Sequence, residues 1–346
     1  MGTHPFPIRT VAREAGVSIA TVDRVLNQRG GVRATTVARV RRAVVELERR
    51  QEAFVLGGRN FTVDLVMQAP RRFTSAVWDA FERAVPAAHP AAFTLRPHLS
   101  QRVDPDKVVD RLAMIADRGT HAVVLKAPDT PEVVDAVDRL VADGVAVLTI
   151  VTDVARSARH AYVGLDNRAA GATAAYLIDQ WSVRTRPGPY GVLVTVSSER
   201  FAGEEQRLRG FETTAAALGP TWTIHRLVDT EGLDTVISDE LETVAAVHPI
   251  HAVYSIGGGN RAVLDVLARH GRRPDVFVAH DLDGDNRELL HRGAISAVLH
   301  HDLGTDAARA LRLVMQVHRS PTTEPAPVQI LTPYNSPGSN RAGPGR

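Results

Sequence analysis

From Val63 onward the chain alternates between short apolar runs rich in β-branched residues and longer amphipathic runs. The short runs VDLVM, FTLRP, HAVVLKA and VAVLTIV are separated by FTSAVWDAFERAV, DPDKVVDRLAMIADRG and TPEVVDAVDRLVADG. Strands that alternate with helices predict a parallel sheet with helices on its faces. Two helix starts are marked by an N-cap residue and a following proline, at Asp104 and Thr130. Gly119 and Gly144 are expected to end the same helices.

A second series of apolar runs follows: YGVLVTV, WTIHRLV, HAVYSI, DVFVAH and AISAVLH. About ten strands over some 260 residues suit two doubly wound lobes better than one. The predicted fold class is therefore α/β, with lobe 1 at about residues 62–159 and 296–320 and lobe 2 at about 160–295 and 321–332. Residues 333–346, rich in Pro, Gly and Ser, are predicted to be a disordered tail.

Ahead of this region, residues 10–27 (TVAREAGVSIATVDRVLN) predict a helix-turn-helix. At 100° per residue, the helix over 19–27 has an apolar arc formed by Val22, Val25 and Leu26. The opposite arc carries Ile19, Ala20, Asp23, Arg24 and Asn27. Ser18 stands at the N-cap of this helix, and Gly16 ends the shorter helix before it. A third helical pattern completes a three-helix head at residues 1–48.

The basic charge of the chain is concentrated near this head. Residues 1–60 contain 11 of the 41 basic residues and 5 of the 39 acidic residues, so they carry +6 and the remainder carries −4. A basic end on a mildly acidic body is typical of a domain that binds nucleic-acid phosphates. Arg-rich faces are also often merely solvated, but here a helix-turn-helix coincides with the charge.

Composition excludes several classes of protein. The sequence contains no cysteine, which excludes disulfides, thiolate zinc sites and a cysteine nucleophile and fits a reducing compartment. It has no apolar run near the length of a membrane span, and its first residues, MGTHPFPIRT, lack the apolar segment of a signal peptide. We therefore expect a cytoplasmic protein that does not bind membranes.

The segment TVAREAGVSIATVDRVLNQRGGV, followed by a helix ending VVEL, resembles the head of the lactose-repressor (LacI) family of bacterial transcription regulators. In that family the second helix lies in the DNA major groove, and its first, second and sixth residues contact bases. The equivalent residues here are Ile19, Ala20 and Arg24. Arg24 is expected to specify sequence, because a guanidinium that bonds guanine O6 and N7 contributes about 1–3 kcal/mol of discrimination. Phosphate contacts or caps are expected from Ser18, Thr21 and Asn27.

Two residues depart from the family pattern. Asp23 stands where the family usually has serine, and Pro7 stands near the start of the first helix, where threonine or serine is usual. Asp23 could accept a hydrogen bond from cytosine N4, orient Arg24 through a charge-assisted bond, or point between phosphates. Orientation of Arg24 is the interpretation that we favour.

Residues 49–61 are predicted to form a hinge or linker. The family typically has a hinge of the form YxPNxxARxLA, whose leucine enters the minor groove when two subunits pair on DNA. Ala53, Leu56 and Gly57 resemble its tail, although the tyrosine and the Pro-Asn pair are absent and the segment is about two residues shorter. Leu56 is therefore predicted either to contact the minor groove or, with Phe54 and Val55, to dock on the next domain.

The two lobes resemble the periplasmic sugar-binding-protein fold, which is the effector domain of the same family. The matches are AYVGLDNRAAG, RLRGF, SIGGGN, VAHD and LHHD. Open α/β sheets bind ligands beyond the carboxyl ends of their strands. Residues selected by that rule form the predicted effector site: Arg72, Phe73, Asp153, Arg207, Asn260, Asp281 and His301. Their aromatic, carboxylate, guanidinium and amide groups suit the hydroxyls of a sugar or polyol.

The resemblance implies that Arg207 and Asp281 contact sugar. Relatives often carry an Asn-Asp pair near Asn260 and a Gln near His301, so a different ligand is expected here. Each residue also has a structural alternative: Asp153 and Asp281 could cap helices, Arg207 could lie on the surface, and GGGN could be a turn.

The competing interpretation is an enzyme. The pair His280-Asp281 and the run His300-His301-Asp302 look like metal ligands, but they end predicted strands and no regular spacing links them. A GxSxG elbow and a phosphate-binding glycine loop are both absent from the sequence. We therefore expect no enzymatic activity, no cofactor and no metal.

The sequence predicts a ligand-responsive, DNA-binding transcription regulator, a repressor that binds a near-palindromic operator as a homodimer. A sugar or polyol bound between the lobes would control operator affinity, as inducer or as corepressor. The alternative is a cytoplasmic sugar- or polyol-binding protein with a vestigial DNA head.

Overall fold

The computed structural model describes residues 6–56, 58–102, 104–182, 190–218, 222–317 and 329–332, and for residues 48–56 it describes the backbone only. The chain divides into two compact units. One contains Met1–Asn60 with Ala88–Ala92, and the other contains Phe61–Ala87 with Phe93–Arg346. The first includes the head, and we call the second the effector domain. The predicted disordered tail at 333–346 lies outside the described residues.

Three helices form the head: α1 Ile8–Ala15, α2 Ile19–Leu26 and α3 Ala34–Leu56. Gly16 has a φ of 59° and ends α1 in the left-handed conformation that glycine adopts without steric cost. A small core of Val11, Ala12, Ala15, Val22, Val40 and Ala43 holds the helices together. Helix α3 continues without interruption to Leu56, so most of the predicted hinge segment is helical here.

The first sheet of the effector domain has five described strands in the order β2-β1-β3-β4-β5. The strands are β1 Asn60–Gln68, β2 Ala92–Ser100, β3 Ala122–Lys126, β4 Ala146–Ile150 and β5 Ala161–Val163. The helices of this series are α4 Arg71–Ala84, α5 Pro105–Arg118 and α6 Pro131–Ala142, with a 3-10 turn at Val85–Ala87. Strands β3 and β4 are buried along their whole length, as expected for a parallel sheet covered on both faces.

The second sheet has six described strands in the order β11-β10-β9-β8-β6-β7. The strands are β6 Tyr190–Thr195, β7 Trp222–Leu227, β8 Ala252–Ser255, β9 Val276–His280, β10 Ala297–His300 and β11 Gln329–Leu331. The helices are α7 Asn167–Trp181, α8 Ala202–Leu218, α9 Asp234–Val247, α10 Asn260–Arg269, α11 Gly284–His291 and α12 Leu303–Gln316. Only β11 runs antiparallel to its neighbour among the described pairings of this sheet.

Alternate residues of the second sheet pack into two different cores. Leu193 and Phe277 belong to one apolar cluster, while the adjacent Val192 and Val278 belong to another. Because successive side chains of a strand point to opposite faces, the two clusters cover the two faces of the sheet. We call the part built on the first sheet lobe 1 and the part built on the second sheet lobe 2.

The chain crosses between the lobes at different residues from those expected. Strand β5 pairs with β4, so it belongs to lobe 1 although lobe 2 was expected to begin near residue 160. Strand β10 pairs with β9 in lobe 2, although the return to lobe 1 was expected at about residue 296. The reason is that β5 and β10 are each hydrogen-bonded to the preceding strand of their own sheet. The chain therefore enters lobe 2 only after β5 and returns to lobe 1 with α12, which packs against α4, before β11 joins the sheet of lobe 2. Within the described part of the chain, no helix has the length and apolarity needed to span a membrane.

Candidate functional sites

The second helix of the head is capped as expected. The hydroxyl of Ser18 accepts a hydrogen bond from the Thr21 backbone N–H at 3.2 Å, and the two hydroxyl oxygens lie 2.8 Å apart. This bond satisfies one of the free N–H groups at the start of α2. Ser18 and Thr21 therefore stabilise the start of α2 in the absence of DNA.

The outward face of α2 is open. Ile19 is 49% exposed, and Ala20 and Arg24 are also exposed, while Val22 on the opposite face is fully buried. Packing therefore fixes one side of the helix and leaves the predicted base-reading side free. Leu56, the predicted minor-groove residue, has a side chain outside the described residues.

Asp23 does not orient Arg24, which corrects the interpretation favoured from the sequence. Its two carboxylate oxygens accept hydrogen bonds from the side chains of Asn27 and Arg29, each at 2.8 Å. The physical reason is helical geometry: neighbouring residues point about 100° apart, whereas residues three or four apart share a face. Asn27 and Arg29, at and beyond the end of α2, are within reach of Asp23, and its charge is partly neutralised by Arg29.

A cavity lies between the lobes of the effector domain. It contains about 590 Å³ of space not occupied by protein atoms, part of it open solvent. Lobe 1 contributes Arg72, Phe73, Lys126, Val151 and Thr152. Lobe 2 contributes Ser197, Phe201, Glu204, Arg207 and Asp281, among others. The lining comes from the starts of helices and the residues that follow strands, as the rule for α/β sheets predicts.

The lobes touch each other directly beside the cavity. Arg72, at the start of α4, donates a hydrogen bond to the Gly232 carbonyl of lobe 2 at 2.9 Å and forms an ion pair with Asp283 at 3.2 Å. The Gly203 N–H of lobe 2 donates to the Thr152 hydroxyl of lobe 1 at 2.9 Å. These contacts already hold the two lobes together beside the cavity, so a ligand there would contact residues of both lobes.

Four of the seven predicted effector residues line the cavity: Arg72, Phe73, Arg207 and Asp281. Arg207, on α8, is only 3% exposed, and its Nε donates to the Asn167 side-chain oxygen at 2.8 Å. Asn167 is the first residue of α7, so two helices set the position of the guanidinium. Arg207 is thus a buried residue of the cavity wall and not a surface residue.

The other three predicted residues lie outside the lining. Asp153 accepts hydrogen bonds from the Thr149 hydroxyl at 2.6 Å and from the Arg159 guanidinium. Asn260 donates to the Asn286 side chain at 2.5 Å, and Asn286 itself lines the cavity. His301 lies behind Asp281. Asp153 therefore orders the segment after β4, whereas Asn260 and His301 support residues that line the cavity.

Asp281 and His301 form a buried ion pair with 2.7 Å between Oδ1 and Nε2. Burial by itself lowers the pKa of His301. The charge and hydrogen bond of Asp281 and a hydrogen bond to Asp306 outweigh burial and raise this pKa to about 9. Burial raises the pKa of Asp281, but His301 and then Arg207 hold it well below its usual range. Asp281 is therefore an ionised carboxylate, held by a charged imidazole, at the cavity wall.

Two residues at the cavity have a left-handed backbone although they are not glycine. Val151 follows β4 with a φ of 67°, and Asp281 follows β9 with a φ of 63°. Such a backbone is unusual for a β-branched residue and is found where surrounding structure fixes it, often at functional sites. At Asp281 three hydrogen bonds do so: its N–H donates to the Leu299 carbonyl, and its own carbonyl accepts from the Asp283 N–H and the Asn286 side chain.

The sequence interpretation missed several residues of the cavity, above all Lys126 and Glu204. Lys126 ends β3, so the rule that selected the other residues would also have selected it. Its ammonium donates to the Gln68 carbonyl at 3.0 Å and lies 3.5 Å from the centroid of the Phe201 ring. Glu204 is in the first turn of α8, where nothing in its local pattern distinguishes it from a surface residue.

The residues that look like metal ligands in the sequence are bonded to other groups of the protein. His280 is 4% exposed and shares a hydrogen bond of 2.8 Å with the Tyr254 hydroxyl. Burial, followed by the charge of Arg207, lowers the pKa of His280 well below its usual value, so the ring is neutral at pH 7. Among the described residues no group of three or more His, Asp or Glu side chains is arranged to hold a metal ion.

Comparison with known proteins gives matches to both parts of the chain. Residues 7–49 match the bacterial regulatory proteins of the lacI family, and residues 65–320 match the periplasmic binding protein domain. No curated protein matches the chain.

Several solved structures share a fold with most of the chain. GanP, a glucose-galactose binding protein from Geobacillus stearothermophilus, has a TM-score of 0.69 at 18% identity, over 80% of this chain and 99% of that chain. A solute-binding protein from Burkholderia graminis, in complex with D-arabinose, has a TM-score of 0.68 at 19% identity, over 81% and 97%. XylFII has a TM-score of 0.68 at 15% identity, over 79% and 98%. Over residues 65–320 the chain belongs to the periplasmic binding protein domain family, and it joins to that domain a head of the lacI family of bacterial regulatory proteins, which is the arrangement of a LacI-family regulator.

Proposed function

We propose that this protein is a cytoplasmic transcriptional repressor whose affinity for its operator is controlled by a sugar or polyol in the cavity. One observation carries the proposal: the same chain holds an outward-facing, capped helix α2 and a polar cavity between two lobes. The first suits a major groove, and the second suits a small hydroxylated ligand. Fold relatives named for glucose, galactose and D-arabinose support a sugar as ligand.

The head binds DNA as one of a pair. A single α2 presents only Ile19, Ala20 and Arg24 to base edges, which is too few contacts for a specific site. Two heads related by a two-fold axis match two half-sites, so the proposed functional unit is a homodimer on a near-palindromic operator.

Control by the ligand follows from binding two lobes at once. Arg72 and Lys126 belong to lobe 1, while Arg207 and Asp281 belong to lobe 2. A ligand that contacts both pairs binds more tightly to one arrangement of the lobes than to any other. By thermodynamic linkage, that preference changes operator affinity if DNA also prefers one arrangement.

The proposal is tested with the purified full-length chain. Binding sites are selected from a pool of random DNA duplexes, and the affinity of the best site is measured with and without individual sugars and polyols. We expect a near-palindromic site whose Kd changes with at least one of them. Sugar binding without any selected DNA sequence would instead support a binding protein with a vestigial head.

A further inference from the structure

Two buried cations in the cavity stand outside the ion pairs of the described residues. Lys126 is 5% exposed and Arg207 is 3% exposed, and both line the cavity. Within the described part of the chain neither forms an ion pair, whereas the third cation of the lining, Arg72, pairs with Asp283. Burying a charge without an opposite charge is costly, so this pair of cations calls for an explanation.

The carboxylates of the cavity do not provide one, because each already has a partner of its own. Glu204 accepts hydrogen bonds from the Ser197 hydroxyl at 2.5 Å and from the Ser197 and Ser198 N–H groups at 2.7 and 3.3 Å. Asp281 pairs with His301 at 2.7 Å. Asp283 pairs with Arg72 at 3.2 Å. Among the described residues, none of these carboxylates therefore forms an ion pair with Lys126 or Arg207.

The protein partners of the two cations are all neutral. Lys126 donates to the Gln68 carbonyl and lies over the Phe201 ring, and Arg207 donates through Nε to Asn167. An ammonium has three N–H donors and a guanidinium has five, so donors remain on both for a ligand. Burial lowers the pKa of Lys126 to about 8; the charge of Glu204 opposes this shift and that of Arg207 adds to it.

We propose that the ligand of this cavity is a sugar acid, a polyhydroxylated carboxylate whose anionic group binds between Lys126 and Arg207. This inference rests on the proposed function, because it takes the cavity as the effector site. The carboxylate gives both cations an anionic partner, while Asp281 remains for hydroxyl groups and the Phe73 and Phe201 rings provide apolar surface. A dianionic phosphate is less suitable, because its second charge would face Glu204 and Asp281.

The chain offers a matched control for Lys126. Only two of its 41 basic residues are lysines, Lys107 and Lys126, and the other 39 are arginines. The side chain of Lys107 is 72% exposed and pairs with Asp104 at the start of α5, outside the lining of the cavity. Lys107→Met and Lys126→Met therefore make the same chemical change at an exposed and at a buried position.

The test is isothermal titration calorimetry of the full-length protein at pH 7 with D-glucuronate, D-galacturonate and D-gluconate, each against its neutral counterpart D-glucose, D-galactose or sorbitol. We expect at least one acid to bind about 100-fold more tightly than its counterpart. Lys126→Met should remove roughly 10- to 100-fold of the affinity for the acid, and Lys107→Met should remove none.

A second measurement needs no variant. Because Lys126 loses its proton near pH 8 in the free protein, affinity for the acid should fall roughly four-fold between pH 7 and pH 8.5. The charged groups that face Lys126 are Glu204, Arg207 and Asp281, and stopping at pH 8.5 limits the contribution of His301 behind Asp281.

Several results would overturn the inference. Neutral sugars that bind as tightly as the acids, or an acid affinity that is unchanged in Lys126→Met and independent of pH, would do so while leaving the proposed function intact. Tighter binding of D-glucose 6-phosphate than of D-glucuronate would replace the carboxylate with a phosphate. If neither acids nor neutral sugars bind, the sugar acid and the proposed sugar effector both fail.

Discussion

The proposed DNA-reading face of α2 and the cavity between the lobes are built in opposite ways. Ile19, Ala20 and Arg24 lie within six positions of each other, are exposed and depend on one helix for their placement. The cavity brings together residues from Ala69 to Asn286, most of them buried and held by neighbours distant in sequence. The reading face can therefore change one residue at a time, whereas the cavity depends on packing across the domain.

The largest expected effect comes from Gly171, which has no contact with the cavity. A Cβ at this position of α7 would lie 1.9 Å from the Arg207 carbonyl oxygen of α8. Gly171→Ala should therefore push the two helices apart and lower the free energy of unfolding of the effector domain by about 3 kcal/mol or more. It should also weaken ligand binding, since α8 carries Arg207 and Glu204.

Chemical denaturation measures this change, and Gly284→Ala is its control. A Cβ at Gly284 would meet no atom within 4 Å. Its substitution should change stability by less than about 0.5 kcal/mol. Equal stability of the two variants would contradict the close packing of α7 on α8.

The next effect is a pH dependence of stability that originates at His301. Its pKa is about 9 in the folded domain and about 6.5 when unfolded. A raised pKa means that the stabilisation is complete below pH 6.5 and is lost as pH rises through 9, by up to roughly 3 kcal/mol. The described residues of the head include no histidine, so the effect belongs to the cavity.

Urea unfolding of the wild type and of His301→Gln, at pH 6.5 and pH 9, measures the difference in free energy of unfolding between the two proteins at each pH. The comparison is needed because Lys126, with its lowered pKa, titrates in part of the same range with the opposite sign. The stability advantage of the wild type over His301→Gln should shrink towards pH 9. An advantage that grows with pH would show that the Asp281 pair has been misassigned.

On the reading face, Arg24→Ala should act on specificity and leave the fold intact. The variant should lose about 1–3 kcal/mol of discrimination between operator and random DNA, because its guanidinium no longer reaches base edges. Fluorescence anisotropy with both duplexes measures it. Arg13→Ala, at an exposed position of α1, is the control and should weaken binding to both duplexes alike, if at all. The same pattern for Arg24→Ala would remove its base-reading role.

The smallest effect is expected at Asp23. Its ion pair with Arg29 is exposed, with side chains 35% and 66% accessible, so its loss should cost less than about 1 kcal/mol of stability. Asp23→Asn also removes a negative charge from the surface that meets DNA and releases Arg29. Affinity for random DNA should therefore rise a few-fold, with a steeper dependence on salt. A fall in affinity would mean that Asp23 itself accepts a hydrogen bond from DNA.

Local signals in the sequence predicted the helices and strands well. The Asp104-Pro105 and Thr130-Pro131 pairs start α5 and α6 as expected, and Ser18 caps α2. The apolar runs become strands because their pattern already encodes burial on both faces. Which sheet a short strand joins is not encoded in this way, and β5 and β10 therefore lay on the wrong side of the expected lobe boundaries.

The cavity was predictable only where a residue directly follows a strand or starts a helix near the sheet edge. Asp281 satisfies that rule and lines the cavity, but Asp153 satisfies it too and is instead bound by Arg159. Asp153 is turned from the cavity by Arg159, six residues along the chain, and the sequence does not reveal in which direction the Arg159 side chain points. Glu204 was missed because it does not directly follow a strand. It lies in the first turn of α8, and its partner Ser197 comes from the segment after β6.

Coupling between the two regions is tested most directly by operator affinity in the presence of the ligand, in the wild type and in Arg207→Ala. With the wild type, saturating ligand should change the operator Kd by roughly 5-fold or more. Arg209→Ala, whose guanidinium is 67% exposed on the same helix, should respond like the wild type. Arg207→Ala should bind the operator with unchanged affinity and show no response to the ligand. A ligand that binds the wild type but leaves its operator Kd unchanged, or an Arg207→Ala variant that responds fully, would contradict control of the reading face by this cavity.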